Sequence, residues 1–157
     1  MDDDRFAFAV DALYGAIDLP APLATELGPT HTMHVDDVAV TLAQSPNGSA
    51  LLVSATVGTL PTEEPARTKA AETLLREGFA LTGGSVAALT VDGERVRATA
   101  MVPDAAGARA EQMGEALKRA VEDVMERVII HGATLSMPDA PRTADTRDVG
   151  AAMIFRP

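Results

Sequence analysis

The side chains best suited to chemistry are His31 and His34 in His-Thr-Met-His, with Asp36 and Asp37 just behind them. Imidazole and carboxylate are common ligands of transition metals. Their spacing argues against a metal site, because residues three apart on a strand point to opposite faces. The third histidine, His131, lies at the end of a predicted helix far along the chain. Paired carboxylates are plentiful, yet acid–base catalysis needs two of them held in different environments within a cleft. Here they fall in turns and termini. No serine occupies a nucleophile-elbow pattern, and no Gly-rich loop carries the Lys-Ser or Lys-Thr of a phosphate site. The chain has no cysteine, which removes thiolate chemistry and disulfides together. Asn47-Gly48-Ser49 matches a glycosylation acceptor but reads more simply as a turn, and Met113 and Met125 read as core side chains on a helix. The expectation is a protein without catalytic residues, cofactor or metal.

What remains is charge. Residues 1–64 carry ten acidic side chains against the single base Arg5, so nearly all of the formal net charge of −10 sits at one end of the chain. Such a surface repels phosphate, which excludes nucleic acid as a partner, and it attracts proteins with basic segments. The opening Met1-Asp-Asp-Asp has neither the basic nor the apolar region of a secretory signal, and no apolar run reaches the length of a membrane span. A cytoplasmic location away from membranes is expected.

The elements follow from hydrophobic period. Phe6, Val10, Leu13, Tyr14 and Ile17 line one face of a helix predicted over 4–17, closed by Asp18-Leu19-Pro20. A period of two then marks strands at 30–35 and 38–44 around Asp36-Asp37, and a third at 50–57 after the turn Ser45-Pro46-Asn47-Gly48. Thr62-Glu63-Glu64-Pro65 reads as the start of a short helix ending at Gly78. Two strands, 86–91 and 95–102, flank Asp92-Gly93, a strong hairpin signal. The last helix, predicted over 108–131, carries Met113, Leu117, Val121, Val124 and Val128 on one stripe.

The order helix, three strands, helix, two strands, helix predicts an α+β fold with a twisted antiparallel five-stranded sheet. A single domain over 1–132 is expected, followed by a weakly ordered tail over 133–157 whose end, Ala151 to Phe155, is apolar. With aromatic residues at only 3%, the core must be built from Val, Leu, Ala and Met, and a subunit interface would strengthen it.

Several short stretches, taken in order, resemble the class I chaperones of type III secretion systems, the Tir chaperone or CesT-like family. They are Val38-x-Val-x-Leu42, Val57-Gly-x-Leu-Pro61, Leu74-Leu75 followed by Phe79-x-Leu-Thr-Gly-Gly84, Ala88-Leu-x-x-Asp92, and Val96 to Pro103 before the closing amphipathic helix. The chain departs from the family at Arg76-Glu77-Gly78, where an Asn is usual, and in lacking aromatic residues in its last helix. The resemblance implies a homodimer that binds the N-terminal segment of a secreted effector in a non-globular state without ATP, with the secretion-system ATPase as a candidate further partner. It implies a dimer interface at Ala70, Leu74, Leu75, Val86, Ala88 and Leu89. It places effector contacts at Phe6, Val10, Leu13, Met33, Val35 and Val40, to which the acidic rim adds Asp11 and Asp18. The alternative is a self-associating structural or regulatory protein with no client.

Overall fold

The computed structural model describes residues 3–80, 85–104 and 107–136. Helix α1 (Asp3–Ala16) buries Phe6, Ala9, Val10, Ala12 and Leu13, the set that a helical period places on one face. Its end is a Schellman motif: Asp18 takes a left-handed φ of 55°, its N–H bonds the Gly15 carbonyl at 3.4 Å, and the Leu19 N–H bonds the Tyr14 carbonyl at 3.0 Å. A connector with one 3-10 turn, Ala24–Glu26, leads to the sheet.

Strands β1 (Thr30–Val35), β2 (Val38–Gln44) and β3 (Ala50–Thr59) form consecutive hairpins. Asp36 and Asp37 both have positive φ, 47° and 66°, as a type I′ turn requires, and aspartate tolerates that region better than most residues. Helix α2 (Ala66–Ala80) crosses to β4 (Ala87–Asp92), which turns at Gly93 into β5 (Arg95–Pro103). The strand order is β1-β2-β3-β5-β4, antiparallel throughout, so β5 lies between β3 and β4 and the edges are β1 and β4. The expected α+β fold is therefore the observed one.

One face of the sheet is apolar. Two rungs cross it, Met33–Val40–Ala55–Ala98–Leu89 and His31–Leu42–Val53–Ala100–Ala87, and against them lie α1 and α3 (Ala110–Ser136). The opposite face carries the rung Thr32–Thr41–Ser54–Thr99–Ala88, polar or small at each position, as expected of an antiparallel sheet covered on one side. Helices α1 and α3 cross closely at Gly114, where a Cβ would stand 2.4 Å from the Ala12 carbonyl oxygen. Arg5, the lone base of residues 1–64, is tied by a salt bridge to Asp104 just beyond β5, and that hydrogen bond raises its pKa.

Most boundaries fall within two residues of expectation, and two differ by more. Helix α2 begins at Ala66 rather than near Thr62. Helix α3 continues through Gly132 to Ser136, so the expected domain boundary at 132 falls inside a helix. Tertiary packing carries it on: Leu135 sits over Gly58, whose added Cβ would meet Leu135 Cδ1 at 3.0 Å. The remainder of the tail, 137–157, and Gly83-Gly84 of the resemblance motif lie outside the described residues.

Candidate functional site

Burial divides the expected effector contacts. Phe6, Val10, Leu13, Met33 and Val40 are buried in the single chain, packed between α1, the sheet and α3, so they offer a client no surface as the fold stands. Val35 is half-buried, and Asp11 and Asp18 are exposed. Asp18 also forms the left-handed cap of α1, a structural task separate from its charge. The apolar stripe of α1 is real, but it is buried inside the fold, where α1 packs chiefly on α3.

The expected dimer residues divide in the same way. Leu74 belongs to the core and Ala70 and Leu89 are half-buried, whereas Leu75 is 64% exposed and Val86 and Ala88 are open to solvent. Val91, at the far end of β4, adds a further exposed aliphatic. Because β4 is an edge strand, this end of the molecule combines unpaired backbone groups with exposed apolar side chains.

An apolar surface that sequence reasoning missed lies on the other side of α3. There Val35 and Asp36, at the tip of the β1–β2 hairpin, face α3 across an open groove of about 590 Å³. Val121 and Met125 form its buried floor, and Ile129 and Ile130 stand exposed along its wall. Asp36, Glu122, Asp123 and Glu126 also line it, and no basic residue does. One carboxylate oxygen of Asp123 accepts the Val86 N–H at 2.8 Å, which fixes α3 to the start of β4. The sequence signal for this groove was the run Val128-Ile129-Ile130, where two apolar residues leave the stripe that packs on the sheet.

Polar groups inside the fold are structural. His131 is fully buried, and its Nδ1 donates to Glu77 Oε2 at 3.0 Å, with the Thr134 hydroxyl donating to the same oxygen at 3.4 Å. This cluster joins α3 to α2. His31 and His34 lie on opposite faces of β1, as the strand period requires. His31 shares a 2.9 Å hydrogen bond with the Tyr14 hydroxyl, and burial lowers its pKa. Among the described residues no group of three or more His, Asp or Glu is placed to hold a metal ion, and no helix is long and apolar enough to cross a membrane.

Comparison with known proteins agrees with that geometry. Several solved structures share the fold, among them three complexes. A chain in the heterodimeric ExoU–SpcU complex from the type III secretion system of Pseudomonas aeruginosa matches with a TM-score of 0.59 at 16% identity, covering 81% of this chain and 97% of that one. A chain in the ExsC–ExsE complex matches at 0.58 and 20% identity, covering 86% and 97%. One in the HopA1–SchA chaperone–effector complex matches at 0.57 and 16%, covering 82% and 95%. No curated protein matches the sequence. A family model, that of the Tir chaperone protein (CesT) family, matches residues 10–128, from the middle of α1 through most of α3 and thus across all five strands. The chain belongs to the Tir chaperone (CesT) family.

Proposed function

We propose that the protein is a type III secretion chaperone, which binds the N-terminal region of a secreted effector as a homodimer in the cytoplasm and holds it non-globular without ATP. The family match over 10–128 carries this reading. Its solved neighbours, one described as a chaperone–effector complex and another as coming from a type III secretion system, support it. The physical requirements are met on this fold. Holding an unfolded segment needs exposed apolar side chains and unpaired strand edges rather than a catalytic cleft. Strand β1 supplies one edge and the α3 groove an apolar surface, while exposed Asp11 and Asp18 add negative charge on and just after α1. Phe6, Val10, Leu13, Met33 and Val40 belong to the packed core that holds these elements in place, with Val35 at the margin of the groove. The second edge, β4, together with Leu75, Val86 and Ala88, is the surface for the second copy, with Ala70, Leu74 and Leu89 behind it. The secretion-system ATPase is the proposed recipient of the loaded complex.

The reading is tested in secretion-competent cells by isolating the protein and identifying what it holds by mass spectrometry, then titrating the N-terminal segment of that protein by calorimetry with and without ATP. A secreted protein bound through its N-terminal segment, with affinity unchanged by ATP, is expected. Isolation of a self-assembled protein with no secreted client would overturn the reading and leave a structural or regulatory role. Light scattering checks the dimer separately: wild type at micromolar concentration should have twice the chain mass, and Leu75→Asp should not.

A further inference from the structure

We propose that the groove between the β1–β2 hairpin tip and α3 binds a short client segment in which aliphatic side chains are flanked by Lys or Arg. This deepens the chaperone reading and rests on it, since it names the chemistry of the bound segment. The apolar part of the argument is the pairing of a buried floor, Val121 and Met125, with exposed Ile129 and half-buried Val35 on either side. Ile129, at 66% exposed, remains in water in the single chain, and covering it is favourable. A groove of about 590 Å³ lies within the range that takes up a small ligand or a few side chains.

Charge selects the occupant. Asp36, Glu122, Asp123 and Glu126 surround the apolar strip and no base lines it, so an occupant with acidic flanks would meet like charge. That disfavours a second copy of this chain, whose net charge is −10. It favours a segment whose Lys or Arg residues reach the rim while its Leu, Ile or Val residues enter the floor. The apolar contacts set how long such a segment stays, and the carboxylates set how quickly it arrives.

The test uses the full chain and three synthetic ten-residue peptides: one of Leu, Ile and Ala with three Lys, the same with Glu for each Lys, and the same with Ser for each aliphatic. Methyl NMR reports where each binds and calorimetry how tightly. The Lys–aliphatic peptide should shift the methyls of Val35, Val121, Met125, Ile129 and Ile130, and the other two should bind weaker by about tenfold or more. Ile129→Asp should weaken the first peptide by a similar factor at any salt. Glu122→Lys with Glu126→Lys should weaken it mainly at low salt. Shifts confined to α1 or the open sheet face, or equal binding of the Glu peptide, overturn the proposal. So does a fall to the single-chain mass in Ile129→Asp, which would make the groove a contact between copies. The chaperone reading is tested apart from this by client retention in secretion-competent cells. If wild type and Ile129→Asp hold the same secreted protein equally well, the groove proposal fails and the chaperone reading stands. If neither holds one, the chaperone reading fails.

Discussion

Four glycines lie within helices of this fold, and among three of them, Gly15, Gly78 and Gly114, the same substitution should have opposite signs. At Gly15 and Gly78 an added Cβ meets nothing within 4 Å, so Gly15→Ala and Gly78→Ala gain helix propensity with no steric penalty. Each should stabilise by about 0.5–1 kcal/mol, less near a helix end. At Gly114 the added Cβ would stand 2.4 Å from the Ala12 carbonyl oxygen and 3.1 Å from Ala16 Cβ. That is 0.6 Å short of 3.0 Å, a separation below which Cβ atoms are essentially never found. The obstacle is backbone and cannot rotate away. Helix α1 must therefore lift from α3, loosening the contacts of Leu13 and Leu117, and such overpacking costs about 1–3 kcal/mol. Set against the propensity gain of up to about 1 kcal/mol, Gly114→Ala should be destabilising by about 1–2 kcal/mol. In a chain of this size that lowers the melting temperature by roughly 2–8 °C. Calorimetric melting of the three variants beside wild type decides the matter. A Gly114→Ala protein that melts at or above wild type would show that the close α1–α3 crossing does not constrain the fold.

Burial lowers the pKa of His31, so the unfolded chain takes up a proton more readily than the folded one; stability should fall as pH drops below about 6.5 towards the folded value, and His31→Gln should flatten that part of the melting-temperature profile. Glu77→Ala removes the acceptor of buried His131 Nδ1 and should cost about 1–3 kcal/mol in urea unfolding, while Glu77→Gln, which keeps an acceptor, should lose less. Leu135→Ala, or truncation after Gly132, uncovers Gly58 and should cost about 1–2 kcal/mol; an unchanged melting temperature would mean that the last turns of α3 do not stabilise the domain.

The sheet was legible in the sequence because each strand announces itself by alternation and each turn by chemistry. Val38, Val40 and Leu42 point one way, and Asp36-Asp37 supplies the two positive φ values that join them to β1. The end of α3 was not legible. Gly132 reads as a stop by propensity, and tertiary contacts keep the helix going: Leu135 packs on Gly58 of β3, and the Thr134 hydroxyl donates to Glu77 of α2. The start of α2 misled for a local reason: Thr62 to Pro65 has the composition of a helix start, but the residues before Ala66 form turns, with the Arg67 N–H bonded to the Glu63 carbonyl at 3.0 Å. The candidate site was harder still. A helical period states that Phe6, Val10 and Leu13 share a face, and an unfolded client or the protein's own sheet would demand the same period. Only three-dimensional burial distinguishes them, and it assigns that face to the protein's own interior, where α1 packs chiefly on α3. Ile129 and Ile130 escaped notice because they lie off the stripe that packs inward.

The strand order has a consequence for how this chain is made. Strand β3 pairs with β2 as soon as both exist, but its other side waits for β5, which is separated from it by all of α2 and β4. A nascent chain that has reached only Asp92 therefore carries β3 as an open edge bearing Leu51, Val53 and Val57, without the helix α3 that covers them. Open apolar edges of this kind recruit other chains. Arrival of β5 closes that edge, and α3 then seals the face from water. A protein of this fold passes through a stage during synthesis in which it has the same exposure it shields in others, and fragments ending before Pro103 should aggregate.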